Sequence, residues 1–270
     1  NRTLANQVLL QVQNITPDQN TSKDVLSREI QRVLSVAMSY ADISTKLDPK
    51  NYQNWLASGN VYKFFTELKV DGAADRAREA YNKAKALSPN DRTLDLLFAD
   101  LSVSEGNTDA AKALVTQSIK DFPTVDAYLW LYQQDIQVKN YSDAEIQLVN
   151  ALKINGNNAG LLTELATLYF VQGKYTDAVA LFERSLSINR NQPIAFAYLG
   201  VSYEALGKTD QSTQVFNFLK QQIPATADKL IEQVRAQKGG SVTPAVETPE
   251  AAKVTPEVST KNTPVAKPKQ

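Results

Sequence analysis

The feature that most constrains this chain is a helix-ending signal that recurs about every 34 residues. Prolines carry it at four positions: Pro49, Pro89, Pro123 and Pro224. Between Pro123 and Pro224, the segments Ile154-Asn155-Gly156 and Ile188-Asn189-Arg190 supply two further signals. The first interval is longer than the others. A unit of this length, repeated in tandem, is typical of solenoid proteins, which stack one supersecondary element on the next.

Each unit contains two amphipathic patterns with helical spacing. In 159–171 the positions Leu162, Leu165, Ala166 and Tyr169 follow the i, i+3, i+4, i+7 rule, and 176–188 shows the same spacing after a turn at Gly173. A hairpin of two such helices cannot bury its apolar face alone, whereas a stack of hairpins can. The sequence therefore predicts an all-α solenoid.

The unit resembles the tetratricopeptide (TPR) repeat, in which W-x2-L-G-x2-Y is followed by A-x3-F and then P. The first repeat matches at Trp55, Gly59, Tyr62, Ala77, Tyr81, Ala84 and Pro89. The fourth matches at Leu165, Ala166, Tyr169, Gly173, Ala178 and Phe182, and the fifth at Leu199, Gly200, Tyr203, Gly207, Phe216 and Pro224. The second is weaker, and the third has Tyr132 where the others have a small residue. The resemblance implies a right-handed α-solenoid that binds protein partners.

The sequence divides into four predicted segments. Residues 1–48 are predicted to form N-terminal helices or a degenerate repeat, and 49–224 five TPR repeats. Residues 225–238 are predicted to be a capping helix. Residues 239–270 repeat Thr-Pro, lack aromatic residues and are predicted to be a disordered tail.

In TPR proteins the first helix of each pair lines a concave groove, and the register of the small residue assigns the positions that face it. The predicted partner-binding residues are Asn60, Lys63, Asp100, Val103, Gln133, Ile136, Thr167, Phe170, Val201 and Glu204. This mixed polar and apolar set suits an extended peptide or an amphipathic helix. The alternative is a merely solvated surface, which would leave Val103, Ile136 and Phe170 exposed in a row. Trp130 is predicted to pack between repeats or to contact the ligand.

The amino-acid composition argues against several kinds of functional site and partner. Cysteine and histidine are absent, which removes thiol nucleophiles, imidazole bases and the usual zinc ligands. Lys and Arg together number 29, as do Asp and Glu, so the chain lacks the basic excess of a nucleic-acid-binding protein. We therefore expect no catalytic site, no cofactor, no metal and no nucleic-acid partner.

A second resemblance, to a more specific group of proteins, bears on the cellular location of this chain. The stretch NRTLANQVLL, the segment 47–55 and the long first repeat resemble the C-terminal TPR region of bacterial membrane proteins related to O-antigen ligases. This implies an extracytoplasmic domain tethered to the bacterial cell membrane by an upstream anchor, and a first residue other than Met fits a processed product or a fragment. No apolar stretch of this chain is long enough to cross a bilayer. Two alternatives stay open: a glycan-recognising or organising domain of an envelope glycan ligase or polymerase, and a cytosolic TPR adaptor.

Overall fold

The computed structural model describes residues 23–238, so the first 22 residues of the predicted N-terminal segment 1–48 and the predicted disordered tail at 239–270 lie outside the described residues. The described range contains helices and no strand, in agreement with the predicted all-α solenoid of hairpins. The helices are α1 Lys23–Leu47, α2 Tyr52–Glu67, α3 Ala73–Leu87, α4 Thr93–Ser104, α5 Thr108–Asp121, α6 Val125–Gln137, α7 Tyr141–Ile154, α8 Ala159–Val171, α9 Tyr175–Ile188, α10 Pro193–Ala205, α11 Thr209–Gln222 and α12 Ala227–Ala236.

Helices α2 to α11 form five hairpins, each a first helix packed on the second helix that follows it. Every hairpin also packs on the next one in chain order, so the apolar core runs along the whole stack. Several helices begin with a side chain that accepts a hydrogen bond from the first turn. Asn51, Thr124, Asn140 and Asn158 each do so, which satisfies a backbone N–H that the helix leaves free.

All five hairpins share one turn. The residue two positions after the first helix adopts a left-handed conformation, with φ between 58° and 87° at Lys69, Gly106, Lys139, Gly173 and Gly207. Glycine takes this conformation without strain, whereas a side chain brings Cβ close to the following carbonyl oxygen. The first and third hairpins therefore carry a lysine where the other three carry glycine.

Small residues in the first helices permit close packing, as the sequence predicted. At Gly200 a Cβ atom would lie 2.3 Å from a ring carbon of Phe216 on the paired helix α11. Gly59 has the same relation to Tyr81, while Ala99 and Ala166 at the equivalent positions are fully buried. The aromatic ring of the second helix thus occupies the space that a larger first-helix side chain would need.

The first hairpin differs in length from the others. Helix α2 has 16 residues, compared with 12 in α4 and 13 in α6, and a five-residue connection, 68–72, joins it to α3. The extra residues of the first repeat are therefore divided between a longer α2 and this connection. Lys69, with φ of 59°, ends the helix and leaves the rest of the insertion in the connection.

Tyrosines join neighbouring hairpins, as predicted from their position in the repeat. Tyr62 donates a hydrogen bond to Oδ1 of Asp42 on α1, at 2.7 Å, and Tyr169 donates one to Oε1 of Glu145 on α7, at 2.9 Å. Tyr203 donates to a carboxylate oxygen of Glu183 on α9. Each ring therefore fills the gap between hairpins and ends on an acidic side chain of the preceding unit.

Candidate protein-binding face

The first helices α2, α4, α6, α8 and α10 follow one another along the stack, and we call the surface that they form together the first-helix face. Along it, side chains of consecutive first helices contact one another in chain order. The pairs are Lys63 with Asp100, Asp100 with Trp130, Tyr132 with Glu164, and Phe170 with Tyr198. We call these contacts between consecutive first helices seams. They form part of the face together with the helices themselves.

Asp100 links three first helices at the N-terminal end of this face. Its Oδ2 lies 3.9 Å from Nζ of Lys63 on α2, and its Oδ1 accepts a hydrogen bond of 2.7 Å from Nε1 of Trp130 on α6. Lys63 also pairs with Glu67, at 3.2 Å. Trp130 is 7% exposed, so it packs between repeats, which is the first of the two roles predicted for it.

The seam between α6 and α8 holds a carboxyl group with a neutral partner. Tyr132, in the place of the usual small residue, is long enough to reach the next first helix and donates a hydrogen bond of 3.0 Å to Oε2 of Glu164. Burial raises the pKa of the Glu164 carboxyl above its ordinary value, and the hydrogen bond from Tyr132 opposes part of that shift. Within residues 23–238, no Lys or Arg forms an ion pair with Glu164.

The seam between α8 and α10 is aromatic and closed to solvent. The ring centroid of Phe170 lies 5.0 Å from that of Tyr198 and 5.4 Å from that of Tyr175, both edge-on. Phe170 is fully buried, so the prediction that it is an exposed groove residue is wrong. The next repeat supplies Tyr198 to cover it, and the periodicity of a single helix does not reveal such a partner.

Helix α12 covers the end of the face at the fifth repeat. Its Ile231 and Val234 share a buried cluster with Val201 of α10, and Arg235 pairs with Glu204. Gln237, just beyond α12, accepts a hydrogen bond from Oη of Tyr198. Val201 is fully buried and Thr167, one repeat earlier, is 9% exposed, so the prediction that they are accessible to a partner is wrong too.

The accessible part of the predicted groove therefore lies in repeats 1 to 3. Gln133 is exposed, while Lys63, Asp100, Val103 and Ile136 are partly exposed. Asn60 is also partly exposed, and its Oδ1 accepts a hydrogen bond of 2.9 Å from Tyr81. Glu204 is partly exposed and engaged by Arg235. The seam residues Trp130 and Glu164 were not among the predicted groove residues, because their contacts join positions about one repeat apart.

No helix between 23 and 238 is both long enough and apolar enough to cross a membrane. In the same range, His, Cys, Asp and Glu side chains form no group of three or more that could hold a metal ion.

Comparison with known proteins finds similarity to tetratricopeptide-repeat proteins over part of the chain. A model of the tetratricopeptide repeat matches residues 163–225. Pre-mRNA-splicing factor 6 of Saccharomyces cerevisiae is 24% identical over 172 residues, which are 63% of this chain and 19% of that protein. Tetratricopeptide repeat protein 37 of Xenopus laevis is 25% identical over 168 residues, or 61% of this chain and 10% of its own length. The chain thus spans less than a fifth of the length of these curated relatives.

Solved structures share the fold at low sequence identity. Yeast Tom70 superposes with a TM-score of 0.59 at 16% identity, over 87% of this chain and 46% of that one. PilW, a type IV pilus biogenesis factor, superposes with a TM-score of 0.53 at 18% identity, over 86% of this chain and 97% of that one. Tetratricopeptide-repeat sequence is thus matched over residues 163–225, and the fold of stacked helical hairpins is shared with these solved structures.

Proposed function

We propose that this chain is a non-catalytic scaffold that binds an amphipathic helix or an extended peptide along the first-helix face of repeats 1 to 3. The observation that carries the proposal is the accessibility of this part of the face, in contrast to repeats 4 and 5, where Phe170 and Val201 are buried. A partner would thus meet α2, α4 and α6 together, the kind of extended surface that repeat proteins use for recognition.

The chemistry of this surface favours a partner with an apolar side. Lys63 and Asp100 already satisfy each other, and Asp100 also holds Trp130 in place. The groups left for a partner are the partly exposed Val103 and Ile136 and the exposed amide of Gln133. Because the charged side chains are fixed before binding, a partner would lose less conformational entropy in ordering them.

Glu164 adds an expected specificity for a basic side chain. It is partly exposed next to this surface, and its one hydrogen-bond donor in the described chain is the neutral hydroxyl of Tyr132. A partly buried carboxylate without a cation is electrostatically unfavourable, and a Lys or Arg of the partner would compensate it. We therefore expect partners in which a basic residue lies beside the apolar residues.

The test is selection of binders from a displayed library of random peptides, followed by affinity measurement with the peptides selected. Ile136→Asp should weaken their binding about tenfold or more, because it places a charge among the apolar contacts. Ile146→Asp is the matched control, since Ile146 is 52% exposed on the second helix α7, and its variant should bind as the parent does. Equal affinities for all three proteins would contradict the proposed binding face.

The location outside the cytoplasm is a further part of this proposal. It is supported by the resemblance of NRTLANQVLL and of 47–55 to the repeat region of O-antigen-ligase-related membrane proteins. A bacterial gene that encodes several apolar spans upstream of Asn1 would fit an anchored extracytoplasmic domain, whereas a start codon close to Asn1 would favour the cytosolic adaptor. Binding of envelope glycans, with no peptide binders in the library, would favour the glycan-recognising role instead.

A further inference from the structure

A solvent-open pocket of about 380 Å³ lies between the fourth and fifth hairpins, outside the first-helix face. Its walls are apolar: Leu186 of α9, Phe196 and Leu199 of α10, and Phe218 of α11. The rings of Phe196 and Phe218 lie 4.7 Å apart in a tilted arrangement and remain partly exposed. A pocket of this size accepts one or two side chains of a ligand.

At the equivalent place one repeat earlier, between hairpins three and four, an arginine bridges the junction. Arg184 of α9 is the counterpart of Phe218, and it donates a hydrogen bond of 2.8 Å to the carbonyl oxygen of Gly156. Arg190 is the counterpart of Gly156 one repeat later. With phenylalanine in place of the bridging arginine, the closing hydrogen bond is absent and apolar surface is left uncovered at the fifth hairpin.

The rim of the pocket carries one acidic and one basic side chain, which differ in their hydrogen-bond partners. Arg190 is exposed, lines the pocket and forms no hydrogen bond or ion pair with residues 23–238. Glu183, the acidic residue of the lining, is engaged by the hydroxyl of Tyr203. The free hydrogen-bonding capacity at the rim is thus that of a guanidinium, which suits a ligand carboxylate.

We propose that residues 242–250 of this chain, Val-Thr-Pro-Ala-Val-Glu-Thr-Pro-Glu, bind in this pocket. Pro244 and Val246 would pack on the phenylalanine rings, since proline-rich extended segments dock on aromatic-lined surfaces. Glu247, one residue further on, would pair with Arg190. The segment therefore combines apolar residues that suit the pocket with an acidic residue that suits its rim.

The position of this segment in the chain, shortly after Lys238, is also compatible with binding in the pocket. Gln237 accepts a hydrogen bond from Tyr198, which stands two residues from Phe196 on α10, so the two side chains point to nearly opposite sides of that helix. Half the circumference of a helix about 10–12 Å across is about 16–19 Å, which an extended chain crosses in about five or six residues. Residues 242–250 begin four positions after Lys238 and span about 30 Å when extended, so the segment is long enough to cover this distance.

The absence of cysteine from the chain permits a clean test by disulfide trapping in the full-length protein. Ser187→Cys places a thiol in the lining of the pocket, and Val246→Cys places one in the segment. The control pair is Ser142→Cys with Val246→Cys, because Ser142 is exposed on α7, away from the pocket. Under mild oxidation at low protein concentration, the pocket pair should form an intramolecular disulfide about tenfold faster than the control pair.

Charge-reversal variants test the proposed pairing of Arg190 with Glu247. Arg190→Glu in the pocket pair should slow the cross-link, and adding Glu247→Arg should restore it, while both variants keep the helical circular dichroism of the parent. Equal rates for the pocket and control pairs would overturn the proposal. Cross-linked dimers in place of intramolecular products would also overturn it, because the occupant would then be a second copy.

Discussion

The ring of Tyr81 lies directly against Gly59, where a Cβ atom would stand 2.2 Å from Cε1 of the ring. Tyr81 is fully buried and its hydroxyl donates to Asn60, so the ring has little freedom to move aside. The close approach of α2 and α3 therefore depends on the missing methyl group.

Gly59→Ala should lower the free energy of unfolding by about 1–3 kcal/mol, because overpacking outweighs the better helix propensity of alanine, which is about 1 kcal/mol. Chemical denaturation followed by circular dichroism measures the change. Gly160→Ala is the control, since Gly160 is exposed in the first turn of α8 and the nearest contact of its Cβ, at 3.2 Å, is the capping side-chain oxygen of Asn158. An equal gain in stability for both variants would show that Tyr81 does not restrict this position.

Lys139→Gly should stabilise the protein by about 1 kcal/mol, since it removes the strain of a left-handed non-glycine residue. The turn is the one that Gly106, Gly173 and Gly207 form in the neighbouring hairpins, and Lys139 has a φ of 58°. Thermal unfolding should show a higher midpoint. The converse change, Gly173→Lys, should lower the midpoint, and a decrease for Lys139→Gly would contradict the assignment of strain.

Phe170 and Ile136 occupy the same place in their repeats but should respond differently to truncation. Phe170→Ala should cost about 3–5 kcal/mol of stability, because the fully buried ring contacts Tyr175 and Tyr198. Ile136→Ala should cost less, because Ile136 is partly exposed, and it should instead weaken binding of selected peptides. Parallel denaturation and binding curves separate the two effects, and similar stability losses would show that Ile136 is also a core residue.

Glu164 should make the protein less stable as the pH rises. Burial raises the pKa of its carboxyl in the folded state, so the folded state holds its proton more tightly than the unfolded state does. Stability is then highest below the pKa of an unfolded glutamate, about 4.3, and falls as the pH rises through the folded pKa.

Glu164→Gln should remove this part of the pH dependence and raise the free energy of unfolding at pH 7, while its amide oxygen can still accept the hydrogen bond from Tyr132. Denaturation at several pH values between about 4 and 7 measures the difference. If Glu164 also recognises a basic partner residue, the same variant should bind selected peptides more weakly. Identical pH profiles for parent and variant would contradict the role of burial.

Local signals made the hairpin stack predictable. Glycine and proline mark the ends of helices, apolar residues recur with helical spacing, and the small residue beside each buried ring is visible in the register at Gly59 and Gly200. Even the strained turn at Lys139 can be found by aligning it with Gly106 and Gly173. These features depend on neighbours close in sequence, so one repeat suffices to recognise them.

The accessible face was less predictable, because exposure depends on what adjacent units contribute. Phe170 has the spacing of a groove residue, but Tyr198 of the next repeat buries it. Val201 is buried through the packing of α12, a helix outside the repeat pattern. The hydrogen bond between Trp130 and Asp100 joins residues thirty positions apart, and neither residue type by itself indicates which partner it has.

The side-chain contacts of the first-helix face join each first helix to the next one in the chain, from Lys63 with Asp100 to Phe170 with Tyr198. Gene duplication of one hairpin within the stack would then add a single new junction and leave the others as they are. Addition after the fifth hairpin would have to displace α12. Evolution is accordingly freer to change the length of this protein from within than from its C-terminal end.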